Sequence, residues 1–337
     1  MNYRFCFAAA LSMTFALSPV QLEAAAKKKQ DKPTTPSPWA EWVEPEFPFF
    51  SSILDARKAG EGFPTNNLTP RGLVLNLGND LWACFDTDLL RVTAIWRGKG
   101  VSPNALAPKS YHPSGGKTPG GQFPAPEPDG KVWLANGIYP GWQIGTSPLL
   151  NDPREPAPSI NEVGRGPLPE DMGRFKAVRP VDNGVLLEYT AGGADVREQW
   201  MMNARGDQRV VVRKFHVGAS TKPMLFVLGT KANSGVSLGL QTGKRVAELA
   251  EENSLWLVRV PPHGDAVEFC GTFTESDAAP AFSPRAIATG APKAHWSQEV
   301  TTKVKLSSAK DAYVVDHIEL PLANPWQRNV RPADIQF

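Results

Sequence analysis

Asp86 and Asp88 flank Thr87 directly after an apolar run, Leu81-Trp82-Ala83-Cys84-Phe85. On an extended chain, residues two apart point to the same face. Paired carboxylates so placed can pass a proton in acid–base chemistry or hold a cation. The same spacing is also ordinary between strands, where Asp supports turns, and Arg91 is close enough to neutralise one of them. Glu188 and His216 form a second kind of candidate. Both fall in the middle of strand-like segments, where sandwiches that bind sugars place Glu and His on a sheet face. Glu198, Glu268 and Glu299 share that placement. The other histidines are His112, His263, His295 and His317, and no pair of the five has a metal-binding spacing.

Other motifs are absent or broken. There is no CxxC for zinc and no CxxCH for covalent haem. Gly116-Lys117-Thr118 echoes the end of a phosphate loop, but its leading glycine is replaced by Tyr111 and Pro119 would break the following helix. The expectation is a chain with no cofactor and no metal. Cys6 lies in the N-terminal apolar run, which leaves Cys84 and Cys270. In an exported chain such a pair is either a disulfide or two separate buried thiols.

The elements that must position these residues follow from composition. The chain has 337 residues with 29 Gly and 32 Pro, which leaves little room for long helices. Hydrophobic residues make up 41%, enough for a sizeable core. Lys+Arg is 36 and Asp+Glu is 34, a balance that argues against an electrostatic grip on nucleic acid. Arg4, the apolar stretch Phe5–Leu17 and the small residues Ala24 and Ala26 read as a signal peptide over 1–26, with Lys27 first in the exported product. That stretch is too short to span about 30 Å of hydrocarbon as a helix. No second run of about 18 apolar residues follows, so no membrane span is expected after cleavage. Localisation is therefore read as periplasmic or extracellular.

Residues 27–50 read as a Lys/Pro-rich linker followed by an aromatic arm, Trp39 to Phe50. Ser51 to Gly60 reads as one or two helical turns. From Gly72 onward the apolar residues alternate, with turns such as Gly78-Asn79-Asp80, Asp182-Asn183-Gly184 and Gly192-Gly193 between runs. Strands are expected from Leu73 to Trp96, resuming at Arg174 and continuing to Leu322. Lys244 to Asn253 fits either a strand or a short helix. Consecutive strands without helical periods argue for antiparallel pairing. The fold expected over 51–322 is mainly β, a large antiparallel β-sandwich. Residues 99–173, rich in Pro and Gly yet carrying aromatics, are read as a long ordered insertion that takes no part in the central sheet and lies over one face of it.

Several runs are distinctive together. They are Leu68-Thr69-Pro70-Arg71-Gly72-Leu73-Val74-Leu75-Asn76-Leu77-Gly78, Trp82-Ala83-Cys84-Phe85-Asp86-Thr87-Asp88-Leu89-Leu90-Arg91 and Trp133-Leu134-Ala135-Asn136-Gly137-Ile138-Tyr139-Pro140-Gly141-Trp142, with Asp152-Pro153-Arg154-Glu155-Pro156 and Gly164-Arg165-Gly166-Pro167-Leu168-Pro169. Together they resemble an uncharacterised domain family of exported bacterial proteins. In that family the domain precedes a β-propeller similar to glucose/sorbosone dehydrogenases, and often a c-type cytochrome domain. The resemblance assigns no catalytic residue. It implies a non-catalytic accessory module of a dehydrogenase- or cytochrome-type protein, truncated or split from the rest, with a propeller or cytochrome c domain or chain as partner. A carbohydrate-active enzyme using carboxylates and a purely structural docking domain are the alternatives. Residues 323–337 would then be the start of a downstream domain or a docking tail, with Trp326, Ile335 and Phe337 as its apolar contacts.

Overall fold

The computed structural model of the chain describes residues 48–321, apart from 103–124, 157–164, 231–235, 243–246, 277–279, 283–286 and 288–296, together with 324 and 325. The stretches read as signal peptide and linker and most of the aromatic arm lie outside these residues. So do His112, the Gly116-Lys117-Thr118 stretch, His295 and the tail residues Trp326, Ile335 and Phe337.

All regular structure among the described residues is β-strand, and every pairing is antiparallel. The first sheet has nine strands: β1 (Phe49–Asp55), β2 (Leu68–Gly78), β3 (Leu81–Asp86), β4 (Arg91–Val101), β5 (Pro128–Ala135), β6 (Trp142–Ile144), β11 (Met224–Thr230), β13 (Glu248–Glu252) and β14 (Leu255–Val260). The second has six: β7 (Gly173–Val181), β8 (Gly184–Ala191), β9 (Ala194–Arg205), β10 (Gln208–Val217), β12 (Ser237–Thr242) and β15 (Val267–Thr274), in the order β12-β15-β10-β9-β8-β7. A separate two-stranded ladder joins β16 (Val304–Lys305) and β17 (His317–Ile318).

Period-two alternation makes the sandwich. On β8, Val185, Leu187, Tyr189 and Ala191 point inward; on β10, Val211, Phe215 and Val217 do. They meet Leu81, Ala83 and Phe85 of β3 and Met224, Phe226 and Leu228 of β11 in one core shared by both sheets. At its centre Trp142 stacks on Phe226 with centroids 4.5 Å apart, and Phe215 stacks on Phe269 at 4.6 Å. Three hairpin loops, Asn79–Asp80, Gly192–Gly193 and Asn253–Ser254, have both residues at positive φ. That is the conformation whose twist matches a two-residue hairpin.

The outer faces are partly covered as well. Val74, Cys84, Ala94 and Trp96 form a second cluster on the outside of the nine-stranded sheet, beneath Leu54 and Ala56. Val210, Val212 and Cys270 form another outside the six-stranded sheet, against Met201 and Phe282. The two cysteines therefore occupy opposite outer faces of the sandwich. Sheets pack about 10 Å apart, beyond the reach of a disulfide. Both thiols are free, and burial pushes each up to about 12. Of the two readings of the pair, separate buried thiols is the one found.

Other expectations need correction. Ser51 to Asp55 is part of edge strand β1 rather than a helical turn, because Phe50, Ser51 and Leu54 pair with β2. Residues 99–173 do not stay outside the sheet. They supply β5, which pairs with β4 along most of its length, and β6, which pairs with β11. Pro128 sits at the first residue of β5, where a missing N–H is tolerated. The glycines let the backbones close up: a Cβ on Gly130 would lie 2.1 Å from the Arg97 carbonyl oxygen, and one on Gly98 would lie 2.0 Å from that of Asp129. The ambiguous 244–253 stretch contributes strand β13. Past Thr274, where strands are expected to continue to Leu322, only the two-residue ladder β16–β17 forms among the described residues, and its side chains are exposed.

Candidate functional site

The outward positions of the six-stranded sheet complement its apolar inner face. The ladder brings Ala177 of β7, Glu188 of β8, Arg197 of β9, His216 of β10 and Glu268 of β15 into one row. Around this row lies an open groove of about 630 Å³, also lined by Lys176, Arg179, Asp195 and Gly218. Its volume falls within the range of small-ligand sites, about 300–1,000 Å³. Two of the sequence candidates, Glu188 and His216, thus share one site. Adjacent strands are 4.7–4.9 Å apart, so the two stand roughly 10 Å from each other with Arg197 between.

The groove's charges are mostly paired. Arg179 Nε donates to Glu188 Oε2 at 2.7 Å, and Lys176 Nζ to Asp195 Oδ1 at 2.6 Å. His216 Nδ1 lies 3.4 Å from Glu268 Oε1. These pairs are partly exposed and individually worth little, about 0–1 kcal/mol. Arg197 is half-buried at the centre and makes no side-chain hydrogen bond or ion pair among the described residues. Carboxylates already held by an adjacent base, in an open groove, suit recognition of a polar ligand better than proton transfer, which needs a carboxyl free to reach the reacting atom.

Asp86 and Asp88 do not join this site, nor do they share a face. β3 ends at Asp86, and the chain turns through residues 87–90 with Leu90 at φ 51°. Asp86 Oδ1 accepts the N–H groups of Asp88 and Leu89. Its Oδ2 accepts from Arg91 Nε at 3.2 Å. Arg91 is wholly buried and also donates to Asn67 Oδ1, the Asn136 carbonyl and Thr69 Oγ1. A fully satisfied buried arginine of this kind ties β2, β3 and the end of β5 together. Asp88 instead faces Arg71 at 3.6 Å and Arg154 at 4.0 Å, and its Oδ2 has no hydrogen-bond partner. Burial, reinforced by the Asp86 charge, raises its carboxyl above the usual range. Arg154 is itself clamped by Asp152, donating from Nε and NH2 at 2.9 Å each, and by the Gly166 carbonyl. Burial of Asp152 works against ionisation, but the Arg154 hydrogen bonds and the Arg165 charge outweigh it and hold the carboxyl low.

The remaining candidates separate. Glu198 points into the core and Glu299 is exposed, whereas Glu268 stands at the end of the row beside His216. His263 braces a turn, with its ring nitrogens 2.8 Å and 2.9 Å from the carbonyls of Pro261 and Gly218. His317 lies on exposed β17. No group of three or more His, Cys, Asp or Glu among the described residues can hold a metal ion.

One buried constellation was not anticipated. Arg213 and Glu198 pair at 2.7 Å with neither side chain exposed. Tyr189 donates to Glu198 Oε2 at 2.7 Å and Trp142 to the Tyr189 hydroxyl at 3.0 Å. The Arg213 guanidinium lies 4.3 Å from the centre of the Trp200 ring. Burial raises the Glu198 carboxyl despite the Arg213 charge. The signal was in the alternation: Val196-Glu198-Trp200 and Val211-Arg213-Phe215 each put a charge at an inward position. A smaller cleft of about 230 Å³ lies beside Trp142, lined by Pro140, Ile144, Leu149 and Met172.

The profile of a protein family, a domain of unknown function (DUF6797), matches residues 83–198. That span runs from within β3 to Glu198 on β9. It includes Lys176, Arg179, Glu188, Asp195 and Arg197 of the groove and leaves out His216 and Glu268. No curated protein and no solved structure matches the chain.

Proposed function

We propose that this chain is a non-catalytic accessory module that holds a polar, hydroxyl-rich ligand such as a carbohydrate on the outer face of its six-stranded sheet. The observation that carries the reading is the groove itself: a recess of 630 Å³ in which Glu188 and Asp195 are each engaged by a neighbouring base. Side chains fixed in this way present rows of donors and acceptors at strand spacing, which is what a polyhydroxylated ligand can use. The N-terminal basic and apolar residues support an exported setting, periplasmic or extracellular. The sequence resemblance supports a role beside a dehydrogenase- or cytochrome-type partner, to which the module would present its ligand.

The test is affinity electrophoresis of the purified chain through gels containing soluble polysaccharides, with reducing ends assayed in parallel. Retardation without release of reducing ends is the expected result. Release of reducing ends would establish a carbohydrate-active enzyme instead, and free migration in every gel would remove the ligand-binding reading.

A further inference from the structure

We infer that the ligand of this groove carries a carboxylate, and that Arg197 is the residue that selects it; this rests on the groove being a ligand site. The argument is one of charge left over. The lining holds three permanent cations, Lys176, Arg179 and Arg197, and two carboxylates, Glu188 and Asp195. Lys176 and Arg179 each take one carboxylate. Glu268, at the far end of the row, is met by His216. The remaining charge is Arg197, placed in the middle of the row by its register with Glu188 on one side and His216 on the other.

Glu188 stands on the strand next to Arg197, yet its hydrogen bond goes to Arg179. Arg197, which lines the groove, therefore has its donors unengaged by either neighbour. A guanidinium is a planar fork that matches a carboxylate through two parallel hydrogen bonds. Its half-buried position raises the strength of that contact over one in open water. The flanking acids accept hydrogen bonds from hydroxyl groups, so the body of the ligand is polyhydroxylated. None of the aromatic groups among the described groove residues is exposed for stacking, since Tyr189, the one that borders it, is buried. Selection among ligands thus falls to charge and hydrogen bonds. The shared chemistry is a carboxylate on a hydroxylated frame, as in a uronic acid or a small hydroxy acid.

Isothermal titration of the full chain with a galacturonic acid trimer, a galactose trimer and citrate separates the sources. The expected result is binding of the acidic trimer at least tenfold tighter than the neutral one, with citrate weaker than the acidic trimer. Arg197→Gln should abolish the preference and Arg197→Lys should keep only part of it, at unchanged melting temperature. Equal binding of acidic and neutral trimers by the native chain, unaffected by Arg197→Gln, would overturn this inference and leave the ligand site standing. Citrate binding as tightly as the acidic trimer, and lost in Arg197→Gln, would keep the carboxylate selection and assign the ligand to the small hydroxy acids; citrate binding unaffected by Arg197→Gln would overturn the role given to Arg197. Binding of none of the three would remove the ligand-site reading together with the inference.

Discussion

Arg197 stands on the strand next to Glu188, in register with it, and yet Glu188 is held by Arg179 from the opposite side, with Nε to Oε2 at 2.7 Å. The position of Arg179 keeps the central guanidinium free. Arg179→Ala should release Glu188 to pair with Arg197. Because both pairings are partly exposed, stability should change by less than about 1 kcal/mol. Affinity for a carboxylated ligand should fall several-fold all the same. Urea melts and titrations on the same variant check both halves. A large loss of stability would mean that Arg179 is holding the sheet edge rather than the groove.

The buried pair should behave in the opposite way. Removing one partner by Glu198→Gln or Arg213→Met leaves the other charge uncompensated between the sheets, at a cost of about 3–5 kcal/mol. The double variant removes both charges while keeping an acceptor for Tyr189, and should recover much of that loss. Equilibrium urea unfolding of the three variants reads the coupling. Additive losses would show that the two side chains do not act as a pair.

Asp88 should contribute an unfavourable pH slope. Its folded carboxyl is raised by burial above the ordinary value of 3.8, so the folded state binds the proton more tightly than the unfolded chain. Stability from this group is present at low pH and falls as pH rises from about that ordinary value through the raised one. Asp88→Asn should therefore be more stable than the native chain near neutral pH, and the difference should shrink on acidification. Asp152 has the reverse sign. Its folded carboxyl is held low, so its contribution is present at neutral pH and lost as pH falls below 3.8. Asp152→Asn should cost stability at pH 7 and little in acid. Thermal melts across pH 3 to 7 test the two opposed trends.

Close approach of β4 and β5 predicts a position-specific glycine effect. Gly130→Ala sets a methyl group against the Arg97 carbonyl and should cost about 1–3 kcal/mol. Gly264→Ala, where nothing lies within 4 Å, should be nearly neutral. Similar losses at both sites would contradict the strand pairing.

Much of the sandwich was legible because alternation and turn residues agree. Gly192-Gly193 and Asn79-Asp80 mark hairpins that form as read. β5 was not legible: Pro and Gly dominate its surroundings, and the Gly98–Gly130 approach depends on a partner strand distant in sequence. β1 was misread because Ser, Ala and Gly also suit a short helix, and only pairing with β2 decides. In the groove, Glu188 and His216 were visible as mid-strand polar residues. Arg197 was not, since a solitary arginine acquires meaning only when the register sets it between them. Asp86 and Asp88 misled because the strand ends between them, so the period-two rule does not reach Asp88.

The most direct test of the account is a backbone-amide NMR titration of the chain with a galacturonic acid trimer. The account predicts perturbations centred on Glu188, Arg197 and His216 and confined to the outward face of β8, β9 and β10. Perturbations centred on Trp142 and Met172 at the smaller cleft, or none at saturating ligand, would contradict it.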